Sequence, residues 1–468
     1  MKYKWFACLL CGTLAASGVL ADEVGPASDP LDPVPYRLRS LRLSDRAAPL
    51  TTGTEFNPAI SVIFDFTYGY FTEDLDDPAG FGMGHDHGHG HGHDHSHGIE
   101  EGFDLREVEL TVTGSVDPYF DAMAMITFSD DHVEVEEAYI TTRMLPGGLQ
   151  IKAGKFLSDV GYINKQHPHD YLFVDQPWMR EFMFGDEGLN EKGVQLSWLP
   201  PLETYTRFGI EILQGESEGI ANYIGDGNHE IVTMLPDAGV PDRNRWRAGK
   251  GMREKDGPRL FTGFAKVAPN VAENHALQLG AFGGYSRVMQ LEDTHSSGRL
   301  ETWDGDGWFA GADVVYKYDG QGIHGHRNFV LQGEYMFRQL DLAYRSQQFE
   351  SFSSLVTTDA NDQRWKQDGL YVQGVYGFAP RWNAGLRLDV LGITNDGFEG
   401  RGTPTDFGTS YRYTGQITYA PTEFSRLRLQ ASYMDMAHGD DDDDHHDDGW
   451  MFVLQYTMSL GVHGAHDF

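Results

Sequence analysis

Apolar and polar residues alternate along many stretches of this chain, and this alternation constrains the fold more than any other feature. In the first stretch the large apolar and aromatic side chains occupy every second position: Ile60, Val62, Phe64, Phe66, Tyr68 and Tyr70. A period of two predicts a β-strand with one apolar face. The pattern recurs in segments of roughly ten residues, separated alternately by short turns and long polar loops, which is typical of outer-membrane β-barrels.

Sixteen such segments can be counted, and they set the predicted architecture. The predicted strands are 56–72, 103–116, 119–128, 133–144, 149–156, 192–199, 204–214, 258–268, 275–288, 308–318, 327–340, 368–378, 381–394, 409–419, 424–437 and 449–468. We therefore predict an all-β, porin-like transmembrane antiparallel β-barrel of about sixteen strands without a plug domain, located in the bacterial outer membrane. The short turns and both termini are expected on the periplasmic side.

The two ends of the chain fit an exported barrel. Residues 1–21 have the layout of a secretory signal peptide, with Lys2 and Lys4 before an apolar run that ends at Ala21. Residues 22–55 are predicted to form a periplasmic segment, and 56–468 the barrel with its loops. The final segment is amphipathic and ends on Phe468, which resembles the assembly signal read by the barrel assembly machinery.

The charge of the chain restricts its partners. The sequence has 70 Asp and Glu against 36 Lys and Arg, a formal net charge of −34. Such a chain repels nucleic acid and attracts cations. Both cysteines, Cys8 and Cys11, lie in the signal peptide, so a thiolate metal site is not expected in the mature protein.

A histidine tract in the predicted extracellular loop 73–102 is the first candidate metal site. Its candidate ligands are His85, Asp86, His87, His89, His91, His93, Asp94, His95 and His97. Neutral imidazole binds zinc, nickel, copper and cobalt, and the intervening glycines leave the backbone free to wrap an ion. The alternative interpretation is a solvated low-complexity loop.

A second tract lies in the predicted loop 438–448. Its candidate ligands are His438, Asp440, Asp442, Asp444, His445, His446 and Asp447. A solvated charge run is the alternative interpretation. Because the last strand of a closed barrel pairs with the first, this loop is expected beside the first tract, where the two could combine nitrogen and oxygen ligands.

The third candidate is His167, His169 and Asp170, in the long connection 157–191 that is expected to fold into the barrel and narrow it. These residues could pass a cation inward. The alternative, which the residue pattern favours, is loop packing with Tyr171, Phe173 and Trp178.

Four stretches of the first half carry a family resemblance: DLREVELTVTGSVDPYFDA (104–122), VEVEEAYITTRMLPGGLQIKAGKF (133–156), NKQHPHDYLFVDQP (164–177) and GDEGLNEKGVQLSWLPP (185–201). They resemble the outer-membrane porins related to the phosphate-selective porins, in particular a zinc-regulated subgroup labelled as TonB-dependent receptors. The resemblance implies a sixteen-stranded barrel. Phosphate transport is not expected from so acidic a chain, and 468 residues are too few for a receptor barrel of 22 strands with a plug.

Two functions remain open from the sequence. In the first, the protein captures a divalent metal, most readily zinc, on its histidine-rich loops and passes it through an acidic lumen into the periplasm. In the second, it is a general or other-solute porin whose loops only buffer or sense metal. No enzyme motif is found, and no organic cofactor is expected. Expected partners are outer-membrane lipid, the barrel assembly machinery and divalent metal; a homotrimer and a periplasmic metal carrier are further possibilities.

Overall fold

Sixteen antiparallel strands close into a barrel, as predicted. The computed structural model describes residues 58–75, 77–81, 99–129, 133–226, 228–232, 245–249, 251–294, 299–351, 354–400, 404–437 and 446–461. The predicted signal peptide, the predicted periplasmic segment 22–55 and the last seven residues lie outside this part of the chain.

The wall strands follow the chain order around the barrel. They are β1 (Ala59–Phe71), β2 (Gly102–Ser115), β3 (Phe120–Phe128), β4 (Val133–Thr142), β5 (Leu149–Leu157), β6 (Asn190–Trp198), β7 (Tyr205–Leu213), β10 (Leu260–Ala268), β11 (His275–Thr294), β12 (Arg299–Tyr318), β13 (Phe329–Ser351), β14 (Ser354–Ala379), β15 (Trp382–Glu399), β17 (Ser410–Thr422), β18 (Ser425–Ala437) and β19 (His446–Gly461). Closure comes from the pairing of β1 with β19, which runs from Ser61 opposite Gly461 to Phe71 opposite Met451.

Three strands outside the wall were not predicted. A separate hairpin pairs β8 (Asn228–Val232) with β9 (Arg245–Gly249), and the two-residue β16 (Thr405–Asp406) pairs with the end of β15. Both lie in long loops, on the side opposite the short turns. Because short turns face the periplasm in barrels of this class, we assign the long loops to the extracellular side.

The outer surface of the wall is apolar. In β1 the outward positions are the predicted ones, with Ile60 51% exposed and Tyr70 50% exposed, while Ser61, Asp65 and Thr67 face inward and are buried. Leu386 on β15 is 75% exposed. A soluble protein does not expose contiguous apolar surface on this scale, whereas a barrel in lipid must.

Aromatic side chains form a girdle at each edge of the apolar band. Near the short turns the rings of Trp382 and Tyr419 lie 5.1 Å apart. Near the long loops Tyr433 and Trp450 lie 5.2 Å apart, and Tyr68 packs on Phe103 at 4.7 Å. Such girdles mark the two membrane–water interfaces. The chain is therefore a β-barrel of the bacterial outer membrane. No helix among the described residues is long and apolar enough to cross a membrane.

Residues 158–189, which we call the luminal segment, fold into the interior of the barrel. The luminal segment contains two short 3-10 turns, Ile163–Lys165 and Pro168–Asp170, and helix α1 (Trp178–Phe184), all of whose residues are buried. A second short helix, α2 (Glu218–Ala221), packs against α1. The segment confirms the prediction that the connection between β5 and β6 folds into the barrel.

Wall residues hold the luminal segment in place through hydrogen bonds to its backbone and through buried ion pairs. The Glu334 carboxylate of β13 accepts hydrogen bonds from the backbone nitrogens of Ile163 (2.6 Å) and Tyr162 (3.1 Å). Asp175 pairs with Arg387 of β15 (2.8 Å) and Arg412 of β17 (2.6 Å). These contacts satisfy polar groups that the lumen would otherwise leave buried and unpaired.

Candidate functional site

The residues that flank the two rim tracts are neighbours. Thr72 N donates to Trp450 O (2.9 Å), and Ala79 N donates to Ala437 O (3.0 Å). Residues 82–98, with every candidate ligand of the first tract from His85 to His97, lie outside the described residues, as do His438, Asp440, Asp442, Asp444 and His445. The structure thus places the ends of both tracts in one sector of the extracellular rim.

The first tract leaves and re-enters the structure at the mouth of the lumen. Phe81 before it and Ile99 after it are both buried, and the Phe81 ring contacts Phe182 of α1 at 6.3 Å. The Asn395 side chain of β15 donates to Ala79 O (2.8 Å). The Phe81 end of the tract is therefore held against the luminal segment.

Two candidate ligands of the second tract, His446 and Asp447, are described, at the start of β19. His446 Nδ1 lies 2.7 Å from Asp435 Oδ1 of β18, and both side chains are about one-third exposed. Asp447 is half-buried and pairs in the ladder with Met436. His446 already has a carboxylate partner, and both His446 and Asp447 belong to β19. These two residues are therefore part of the wall next to the tract.

His167 and His169 lie inside the barrel, where they face carboxylates of the wall. His167 places Nδ1 2.9 Å from Glu136 Oε1 and Nε2 2.9 Å from Glu137 Oε1. His169 places Nδ1 2.9 Å from Glu109 Oε2, and Nε2 3.3 Å from Asp170 Oδ1. The two imidazole rings are stacked, with centroids 5.8 Å apart and planes 3° from parallel.

A β-bulge in β4 explains how Glu136 and Glu137 both reach the lumen. Met125 of β3 pairs with Glu137 and Ile126 pairs with Val135, so Glu136 is the extra residue. A regular strand would send one of these two neighbours into the lipid, whereas a bulge shifts the alternation by one position. The carboxylates therefore lie on the same side of the wall.

A second bulge, in β2, lets the adjacent side chains of Arg106 and Glu107 both face the lumen. Asp65 of β1 pairs with Glu107 and Thr67 pairs with Asp104, so β2 carries one extra residue there. Arg106 then forms an ion pair with Asp65 and donates to Val174 O (2.6 Å) of the luminal segment. Glu107 and Glu109 extend into the lumen beside His169 and are buried.

Together these side chains form a compact set of nitrogen and oxygen ligands, which we call the luminal cluster: Glu107, Glu109, Glu136, Glu137, His167, His169 and Asp170. Within it, ligand atoms of Glu107, Glu109 and His169 lie within 4.8 Å of one another. The same holds for Glu109, Glu136 and His167. Glu109 belongs to both sets and joins the two histidines.

The carboxylates favour a positive charge on both histidines, which lie on the luminal segment and not on a strand that spans the membrane. Burial lowers the pKa of His167, but the facing carboxylates of Glu136 and Glu137 outweigh burial and hold it well above its ordinary value. Burial likewise lowers the pKa of His169, and Asp170 and Glu109 raise it to about 9. The carboxylates therefore give the luminal cluster a negative local potential.

The alternative interpretation of this segment, packing with its own aromatic residues, is also seen in part. Tyr171, Phe173 and Trp178 are buried. The two imidazoles, however, face carboxylates on β2 and β4. These partners were not predicted from the sequence. Glu107 and Glu109 are two residues apart on a predicted strand and so share a face, which could have identified them. Glu136 and Glu137 are adjacent, and a regular strand would place them on opposite faces.

The lumen is not uniformly acidic, contrary to the expectation from net charge. On β5, β7 and β10 its lining includes Lys152, Arg207 and Lys266, which surround Asp159 of the luminal segment; Arg207 lies 3.0 Å and Lys152 3.9 Å from its carboxylate. Acidic and basic side chains are therefore both present inside the barrel.

Comparison with known proteins gives relatives of two kinds, while no family model matches the chain. Among solved structures, OmpT, an outer membrane protein of Vibrio cholerae, is 10% identical with a TM-score of 0.46, over 88% of this chain and 99% of that one. The outer membrane channel DcaP of Acinetobacter baumannii is 11% identical with a TM-score of 0.45, over 88% and 99%. The anion-selective porin from Comamonas acidovorans is 11% identical with a TM-score of 0.45, over 86% and 99%.

These solved barrels add no functional argument at such low similarity. The resemblance to phosphate-selective porins and to the zinc-regulated subgroup stays a prediction. In sequence, an uncharacterised protein of Aquifex aeolicus (strain VF5) is 34% identical over 376 residues, which are 79% of this chain and 71% of that protein. The chain belongs to the same protein family as this Aquifex aeolicus protein.

Proposed function

We propose that this protein is an outer-membrane channel that captures a divalent metal, zinc above all, on its two extracellular tracts and passes it into the periplasm. The observation that carries the proposal is the position of the tract ends. Ala79 and Ala437, which flank the first and second tracts, are hydrogen-bonded at the mouth of the lumen. Imidazoles from one tract and carboxylates from the other thus start from the same place.

The chemistry of the tracts suits capture followed by release. Seven histidines in thirteen residues offer many overlapping ligand pairs, and none of them requires a rigid site. Transport requires binding that is strong enough to collect the ion and weak or multiple enough to let it go. The run of aspartates from Asp440 to Asp444 raises the local concentration of divalent cations.

Zinc entry into proteoliposomes tests the proposal. The vesicles contain a zinc-sensitive dye and carry either the intact protein or a variant, here called the rim variant, in which all seven histidines of residues 85–97 are replaced by glutamine. A control variant carries His324→Gln and His326→Gln, which alter a short turn at the periplasmic end. Entry of arabinose, an uncharged solute, is measured in parallel by vesicle swelling.

We expect zinc entry at low external zinc to fall in the rim variant and to be unchanged in the control, with arabinose entry the same in all three. Equal zinc entry in all three proteins would contradict the proposal. It would favour instead a general porin whose histidines buffer or sense metal. The assembly state and any periplasmic metal carrier stay predictions that this experiment leaves aside.

A further inference from the structure

The luminal cluster is a candidate metal site of its own, made of residues that belong to neither rim tract. We propose that Glu107, Glu109 and His169, supported by Glu136 and His167, bind one first-row divalent cation of the zinc type inside the barrel. The role of this site in transport rests on the function proposed above, because it would be the station that follows capture at the rim. Binding itself can be tested separately.

The spacing of the ligand atoms is close to that of a real site. In a tetrahedral zinc site with bonds of about 2.0–2.1 Å, the ligand atoms lie roughly 3.3 Å apart. His169 Nδ1 and Glu109 Oε2 are 2.9 Å apart, and the third ligand atom, from Glu107, lies within 4.8 Å of both. A side-chain movement that brings the Glu107 oxygen closer to the other two atoms would complete a three-ligand set.

Glu107 provides an independent indication that a cation belongs here. The residue is 6% exposed, and its Oε1 has no hydrogen-bond partner among the described residues. A buried carboxylate oxygen without a partner costs free energy, and such atoms are rare in folded proteins. A metal ion bound between Glu107, Glu109 and His169 would satisfy this oxygen.

The balance of charge points the same way. The luminal cluster brings together five carboxylates and two imidazoles. Two guanidiniums lie beside the cluster: Arg106 is paired with Asp65, and Arg426 donates to the backbone carbonyl of His169. Even with both histidines protonated the cluster retains an excess of negative charge, which a divalent cation would reduce.

The ligand types select the class of metal. Calcium and magnesium prefer sites made only of oxygen ligands, whereas two imidazoles beside carboxylates suit zinc and its first-row neighbours. Access is possible from one side, because the side chains of Glu136 and Asp170 are each 22% exposed while those of His167 and His169 are nearly fully buried. An ion would therefore meet Glu136 or Asp170 before it reached the imidazoles.

The competing interpretation is that these residues serve only as ion pairs that hold the luminal segment against β2 and β4. The hydrogen-bond distances alone fit both. The two differ in whether zinc binds, and that can be measured in the full-length protein in detergent. The background protein combines the rim variant with His438→Gln and His445→Gln, because the imidazoles of both tracts would otherwise dominate the binding signal.

The experiment measures zinc binding by equilibrium dialysis and the coordination of bound zinc by X-ray absorption. We expect this background protein to bind one zinc ion with imidazole in its coordination shell. We expect His169→Gln or Glu109→Gln, made in that background, to weaken this binding by at least about tenfold. His275→Gln is the matched control, since His275 lies at the end of β11 and hydrogen-bonds to Tyr316 (2.6 Å). Correct folding of each variant is checked by its heat-modifiable migration on gels.

A second measurement does not depend on any luminal substitution. Cobalt(II) added to the background protein should give the intense visible absorption of a four- or five-coordinate site. Zinc binding that is equal with and without His169, or cobalt that keeps the weak spectrum of its hydrated ion, would overturn the inference. Failure here would leave rim-dependent zinc entry intact, whereas failure of the rim proposal would leave luminal binding intact.

Discussion

Replacement of Asp175 by asparagine should release the luminal segment from the wall. Asp175 accepts from Arg387 (2.8 Å), Arg412 (2.6 Å) and Gln430 (2.5 Å), and both ion pairs are fully buried. Asp389 is the other carboxylate that contacts the two guanidiniums, so Asp175→Asn leaves two buried positive charges with one negative partner.

The magnitude follows from the burial of these groups. Removal of one partner from a buried ion pair costs about 3–5 kcal/mol, because the remaining charge is left uncompensated. Asp175 belongs to the luminal segment and the arginines belong to the wall, so this cost falls on docking and not on the strand ladder. It corresponds to a shift of roughly a hundred- to several-thousand-fold towards the undocked segment.

Two measurements report this shift. In planar bilayers we expect Asp175→Asn to conduct more than the intact protein, because the luminal segment occupies part of the lumen. In detergent we expect a protease to cut within residues 158–189 faster than before. Glu423→Gln, in the exposed turn between β17 and β18, is the control. Conductance and cleavage equal to those of the intact protein would refute the argument that these ion pairs hold the segment.

Two further substitutions test the fold. Gly161 has φ +65°, and a Cβ there would lie 2.2 Å from Glu334 Oε2, so Gly161→Ala should loosen the luminal segment and raise conductance. The control Gly147→Ala, with φ +72° and open space around it, should carry only the backbone cost of roughly 1–2 kcal/mol. Equal conductance in the two variants would contradict this expectation. Leu386→Arg on the lipid-facing surface should lower the free energy of unfolding in vesicles by about 2–4 kcal/mol, as measured by guanidinium titration. The control Thr422→Arg, at the periplasmic turn, should change this free energy little. Equal losses in the two variants would argue against our placement of the membrane.

Where lipid faces the wall, the sequence predicted the strands well. Each outward position in lipid must be apolar, so the alternation of β1 and of β19 from Trp450 to Leu460 is visible in the sequence and matches the exposed positions in the structure. The prediction that the last strand continues to Phe468 falls outside the described residues.

Strand lengths above the membrane were predicted less well. The strand expected at 368–378 runs from Ser354 to Ala379, and the one expected at 308–318 begins at Arg299. A register shift between Gln367 and Gly369 coincides with the predicted start of the former. Beyond that bulge the strand projects into water, and neither of its faces has to contact lipid. The alternation of apolar and polar residues is therefore lost, although the pairing with the neighbouring strands continues.

The candidate site inside the barrel was predicted only in part, because bulges interrupt the period of two there as well. His167 and His169 were identified from their spacing, but their partners were not. Bulges at Glu136 and near Arg106 place adjacent residues on one face, and a strict period of two assigns such neighbours to opposite faces. A bulge depends on the pairing of two strands, which one strand's sequence does not specify.

The dependence of zinc flux on external zinc concentration tests the central claim most directly. Proteoliposomes with the intact protein and with the rim variant are compared from nanomolar to millimolar zinc. If the rim tracts capture zinc for transport, flux through the intact protein saturates, and the rim variant needs at least about tenfold more zinc for half-maximal flux with its maximal rate unchanged. Two identical curves, or flux that rises linearly in both proteins, would contradict the account.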